Sequence, residues 1–176
     1  IGCACAEVGI SMIVVPLVDN GRLDTPEQED VLVDFLLGQQ QFLAQHKLQV
    51  IFECDFAPAE LARFINRLPA KHFGINYDIG NSAALGFDPS EEFAAYGKRV
   101  INVHVKDRVH GGTTVQLKTG SADFDAVFAA LSQVRYQGNF ILQTARAVNG
   151  NHSEVLRNYQ DMTRSWMQQY GLSLAE

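Results

Sequence analysis

Short β-branched stretches alternate along the chain with longer segments whose apolar residues recur at helical spacing. Ile10 to Val18 is the first apolar run and predicts a strand. Thr25-Pro26-Glu27-Gln28 then opens a helix, with Thr25 as cap, Pro26 at the first helical position and Gln28 completing a capping box. Its expected buried stripe is Val31, Leu32, Phe35, Leu36, Phe42 and Leu43. Leu48 to Phe56 predicts a second strand and Pro58 to Leu68 a short helix. Phe73 to Ile79 is the third strand, and Asp88-Pro89-Ser90-Glu91 starts a helix that ends near Gly97. Val100 to Val105 is the fourth strand, followed by a Gly-rich loop and a helix from Asp123 to Val134. Phe140 to Thr144 is the fifth strand, and Ser153 to Tyr170 the last amphipathic helix.

Five repeats of strand then helix imply a parallel sheet with right-handed crossovers. No Pro/Ser-rich linker interrupts the 176 residues, so one domain over 1–176 is expected. An open doubly wound sheet and part of a (β/α)8 barrel both fit that order. The polar residues choose. Asn102, His104 and Lys106 share one parity of the fourth strand, and Ile101, Val103 and Val105 share the other. Helices can cover the apolar set, which turns three polar groups to the opposite face. A barrel interior has room for them, because the catalytic groups of barrels sit at the C-terminal ends of the strands. Glu53 and Asp55 close the second run, Asp78 the third and Gln143 the fifth. From Glu53 to Asp78, His104 and Gln143 the steps are 25, 26 and 39 residues.

Composition narrows the function. The chain is 47% apolar and 19% charged with a net charge of -6, which excludes a disordered tail and disfavours general nucleic-acid binding. The longest apolar stretch, Ile13 to Val18, is too short to span a bilayer, so no membrane partner is expected. Three cysteines, Cys3, Cys5 and Cys54, form no framework and point to a reducing, cytoplasmic compartment. Cys3 and Cys5 read as packing residues rather than zinc ligands, and Cys54 as facing a helix. A Glu, an Asp and a neutral His at one mouth suit a divalent ion such as Mn²⁺, Mg²⁺, Co²⁺ or Zn²⁺, with Gln143 as a weak carbonyl ligand. Alternatively, Glu53 and Asp78 cap helices or pair with Lys106 and Arg108.

Tyr77-Asp78-Ile79-Gly80-Asn81-Ser82 and Asn102-Val103-His104-Val105-Lys106-Asp107-Arg108 resemble the sugar-phosphate isomerase/epimerase superfamily, the xylose isomerase-like TIM barrels. Phe52-Glu53-Cys54-Asp55, Pro16-Leu17-Val18-Asp19 and Thr119-Gly120-Ser121-Ala122-Asp123-Phe124 add weaker matches. The branch most similar is that of hexulose-6-phosphate isomerases and pentulose-5-phosphate 3-epimerase-like proteins. The resemblance implies a metal bound by Glu53, Asp78, His104 and the final-strand position. There the family usually carries Glu and this chain carries Gln143. It further implies Glu53, His104 and Gln143 as catalytic positions, with Glu53 as base. A Gln cannot accept a proton, so two-base epimerisation is in question while one-base isomerisation is not. His110 or Asp107 is an alternative base. Asn81, Lys106, Arg108 and Arg146 are candidates for substrate hydroxyl or phosphate contacts. The resemblance also implies that Ile10 to Val18 is strand four of eight. Strands one to three, about 90 to 100 residues at the usual unit size, are then absent, and the chain is expected to pair with a copy of itself or with the missing barrel portion. The expected partner is a sugar or sugar phosphate. A catalytically silent sugar-binding or assembly module is the alternative. Endonuclease chemistry of the same superfamily fits poorly with one strand-end His and an acidic chain.

Overall fold

The computed structural model describes residues 1–148 and 150–173. The fold is α/β and of the TIM-barrel type, with a parallel sheet of five strands. Those strands are β1 (Met12–Leu17), β2 (Gln49–Cys54), β3 (Phe73–Asp78), β4 (Val100–Val105) and β7 (Asn139–Leu142). The chain packs as two compact units, residues 1–76 and 77–176.

In the first unit, β1 pairs with β2 from Met12↔Gln49 to Leu17↔Cys54, and β2 with β3 from Val50↔Phe73 to Phe52↔Ile75. A short α1 (Gly2–Glu7) precedes β1. Helices α2 (Pro26–Gly38), α3 (Gln40–His46) and α4 (Pro58–Asn66) connect the strands. Phe52, Phe64, Phe73, Ile51 and Ile65 form its centre and are fully buried. The capping box at Thr25 forms as the spacing predicts, with Gln28 donating its backbone N–H to the Thr25 hydroxyl.

The expected stripe of the long helix is corrected by the structure. The helix breaks at Gln39, and Val31 and Phe35 are 72% and 62% exposed. Its inward face carries Glu29, Val33 and Leu36, one helical stripe at i, i+4 and i+7. Glu29 is carried inward by Arg63 of α4 and Arg67, the residue that caps the C-terminus of α4. Arg63 grips it through two N–H groups at 2.8 and 2.6 Å, and Arg67 adds a third at 2.5 Å. A buried carboxylate matched by two guanidinium groups takes a place that apolar periodicity assigns to a hydrophobe.

The second unit holds α5 (Ile79–Leu85), α6 (Pro89–Tyr96), β4, a small antiparallel hairpin of β5 (Asp107–Arg108) and β6 (Thr114–Val115), α7 (Phe124–Gln133), β7 and α8 (His152–Gln169). β4 pairs with β7 from Asn102↔Asn139 to Val105↔Leu142. Val103 and Val105 are fully buried, as their parity on β4 requires. Phe124 and Phe128 of α7 stack against Trp166 of α8, with centroids 4.4 and 5.4 Å apart. Cys3 is exposed, which removes the expected packing role for that residue. Burial pushes the Cys54 thiol up, and the neighbouring Asp55 and Glu53 carboxylates add to the shift. Among the described residues, no helix is long and apolar enough to cross a membrane.

Candidate functional site

Asp78 ends β3 and begins α5. Its Oδ1 accepts the Asn81 backbone N–H at 2.8 Å, so the residue is a strand terminus and a helix N-cap at once. That double duty leaves Oδ2 for other partners. Oδ2 lies 3.6 Å from His104 Nδ1 on β4 and 3.3 Å from Lys106 Nζ just beyond it. The Asp78 side chain is 1% exposed and that of His104 11%, so both groups face each other with little water between.

Lys106 reaches two more acceptors, Asn81 Oδ1 at 3.2 Å and Gln143 Oε1 at 3.0 Å. An ammonium only donates, so the Gln143 amide must turn its oxygen toward Lys106 and its NH₂ away. Lys106 passes close over α5. A Cβ at Gly80 would lie 2.7 Å from Lys106 Cγ, which gives the glycine after Ile79 a steric reason. Arg108 donates through Nη1 to Asn81 Oδ1 at 2.8 Å, and through Nε and Nη2 to the Gly112 carbonyl at 3.0 and 2.6 Å. It therefore clamps the hairpin loop to α5. Arg146 follows β7 and is exposed.

Asp107, weighed as a base, has a different task. It is fully buried and accepts the Gly120 N–H at 2.9 Å and the Ala122 N–H at 3.1 Å. A Cβ at Gly120 would collide with the Asp107 carboxylate, so glycine is required at this closure. The two segments around His104 and Gly120 that carry the strongest and a weaker part of the sequence resemblance are thus hydrogen-bonded to each other. His110 is exposed and lies against Gly86, over a cavity of about 340 Å³ lined by Tyr77, Ser82, Ser121 and Asp123 among others.

Glu53 closes β2 in the first unit. One carboxylate oxygen accepts from Asn76 Nδ2 at 3.1 Å. Asp55, two residues on, lies 3.8 Å from Arg22, and its Oδ1 is buried without a hydrogen-bond partner in the structure. Sequence reasoning passed over Asn76. Its signal was parity: Asn76 and Asp78 lie on one face of β3, where alternation turns polar groups away from the helices. Within the second unit, Asp78 and His104 supply a carboxylate and an imidazole, ligand types that divalent metals take, and Glu53 in the first unit is a carboxylate of the same kind.

The family profile described as "Xylose isomerase-like TIM barrel" matches residues 3–168. An inosose dehydratase from Geobacillus thermodenitrificans (strain NG80-2) is 23% identical across 73% of this chain and 51% of its own. The fold is similar to that of a D-tagatose 3-epimerase-like protein, with a TM-score of 0.75, 16% identity, and coverage of 97% of this chain and 67% of the other. It is also similar to a xylose isomerase-like TIM barrel protein from Mycobacterium smegmatis in complex with magnesium. There the TM-score is 0.72 and the identity 15%, over 96% of this chain and 65% of the other. The chain spans about half the length of the curated relative it matches. With the profile covering nearly all of the sequence and the strand ends carrying acid and imidazole, the chain belongs to the xylose isomerase-like TIM barrel family.

Proposed function

We propose that the protein is a metal-dependent isomerase or epimerase of a sugar or sugar phosphate, working by removal of a proton from the carbon beside a carbonyl. The observation that carries this reading is the buried pair of Asp78 and His104, 3.6 Å apart at the ends of β3 and β4, where barrels of this architecture place their chemistry. In this reading Glu53 joins them from the end of β2, and the five βα units stand for the fourth to eighth of the barrel. A bound dication supplies Lewis acidity, which polarises the substrate oxygens and makes the neighbouring C–H easier to break.

The chain's own groups do the rest. Glu53 takes the proton, and the Asn76 amide, donating to it at 3.1 Å, orients the carboxylate. Gln143 has no basic atom and presents an amide NH₂, which suits a hydrogen bond to a substrate hydroxyl or carbonyl oxygen. Without a second carboxylate at that position, returning the proton from the face Glu53 uses is favoured, which makes isomerisation the simpler outcome. Arg108 has three N–H groups committed to Gly112 and Asn81, so a substrate phosphate would fall to the exposed Arg146. The likeness to inosose dehydratase favours a second outcome of the same first step, in which a hydroxyl leaves after the proton.

The test is deuterium exchange. Incubation with Mn²⁺ and D-tagatose or D-xylulose 5-phosphate in deuterated water is expected to place deuterium on the carbon next to the carbonyl, read by proton NMR. Glu53→Gln is expected to slow that exchange by about a hundredfold or more. An undiminished rate in the variant removes Glu53 as the base. Sugar binding with no exchange and no metal requirement supports a silent binding module instead.

A further inference from the structure

Of the two Asp78 oxygens, only Oδ2 is free of the helix cap. Oδ1 holds the start of α5 through the Asn81 N–H at 2.8 Å, and releasing it would uncap that helix. Oδ2, the remaining oxygen, already carries the Lys106 ammonium at 3.3 Å and faces His104 Nδ1 at 3.6 Å. Lys106 is held there firmly. Its three ammonium hydrogens are matched by three oxygens, on Asp78, Asn81 and Gln143, at 3.0 to 3.3 Å. Its stem runs over Gly80 with no room for a Cβ, and its side chain is only 14% exposed. Arg108 is turned to Asn81 and Gly112.

We propose that Lys106 is a built-in competitor for the dication, seated on the Asp78 oxygen that the ion requires. The inference rests on the reading of Asp78 and His104 as metal ligands. Two positive centres on one shielded carboxylate oxygen repel each other, and the low-dielectric setting magnifies the effect. Ion binding therefore obliges the ammonium to draw back toward Asn81 Oδ1 and Gln143 Oε1. The hydrogen it withdraws from Asp78 becomes available to a substrate oxygen, so that metal loading and substrate recognition are linked through one side chain. Lys106 is in this account a positioning residue with a charge that sets the affinity of its neighbours for metal.

The experiment is calorimetric titration of Mn²⁺ into the full chain, the Lys106→Met variant and the Lys106→Gln variant, with thermal melts to establish that each is folded. Met keeps the apolar stem, and Gln keeps a hydrogen-bond donor; both remove the charge. Both variants are expected to bind Mn²⁺ on the order of tenfold more tightly, or better. Equal or weaker binding in a folded variant overturns the role of Lys106 and leaves the metal reading standing. Tightening in the Met variant but not in the Gln variant assigns the effect to the hydrogen bond rather than to charge and also overturns it. Absence of binding in all three removes the metal reading itself, and this inference with it.

Discussion

Two glutamates, one in each compact unit, are both shielded from solvent and have their carboxyls shifted in opposite directions. Glu29 in α2 is 4% exposed and Glu92 in α6 is 2% exposed. Glu29 meets Arg63 and Arg67, and these guanidinium hydrogen bonds hold its carboxyl below the ordinary value, against the opposing effect of burial. Glu92 meets only hydroxyls: Tyr77 at 2.7 Å, Tyr96 at 2.7 Å and Ser82 at 2.5 Å. Burial dominates there and pushes the carboxyl up, although the three hydroxyls pull the other way. Burial alone does not set the direction in which an acid shifts; a nearby cation can reverse it.

The largest effect that would break this comparison is expected at Glu92. Glu92→Ala takes the shared acceptor away from three buried hydroxyls and should cost about 3 kcal/mol, measured by chemical denaturation. Glu92→Gln keeps a hydrogen-bonding group of the same size and should cost under about 1 kcal/mol. A large loss in the Gln variant would mean that the charge itself is being used.

The pH dependences should run in opposite directions. Both acids have an ordinary value of 4.5. The folded value of Glu29 is lower, so its contribution is present above 4.5 and fades as pH falls through the folded value. The folded value of Glu92 is higher, so its contribution is complete below 4.5 and fades as pH rises through the folded value. Melting temperatures measured from pH 3 to pH 8 should show Glu29→Gln diverging from the parent as pH rises. Glu92→Gln should gain on the parent over the same range. Parallel curves would contradict the assignment. Because Arg63 and Arg67 are partly open to solvent, 1 M salt should shrink the Glu29 effect.

The smallest effect is expected on the outer side of α2. Phe35→Ser should change stability by less than about 0.5 kcal/mol, since the ring is mostly in solvent. A loss of several times that size would show that this face is covered in solution.

The same helix shows where sequence reading runs short. Val31 and Phe35, four residues apart, make as good an apolar stripe as Val33 and Leu36, and the chain chose the face that includes Glu29. Only Arg63 in α4 and Arg67 at its C-terminal cap, more than thirty positions away, explain that choice. β4 was legible because alternation of valine with Asn102 and His104 is local, and its bounds, Val100–Val105, come out as read. Helix α5 was not, because Asp78 serves two elements and Asn81 and Ser82 look like turn residues. The spacing from Asp78 to Asn81, a side chain reaching the N–H three residues on, was the available sign. The candidate donors at strand ends could be nominated from order and parity alone. The lysine seated between Asp78, Asn81 and Gln143 could not, since its three acceptors come from separate segments.

Asp107 joins the far side of its loop at Gly120 and Ala122, and this makes residues 108–119 a closed excursion tied at its base. Such a tether uncouples what happens in the excursion from what happens on β4. Protein engineers could therefore lengthen, shorten or exchange that stretch to alter which molecules are admitted, while the knot at its foot leaves the neighbouring strand in place.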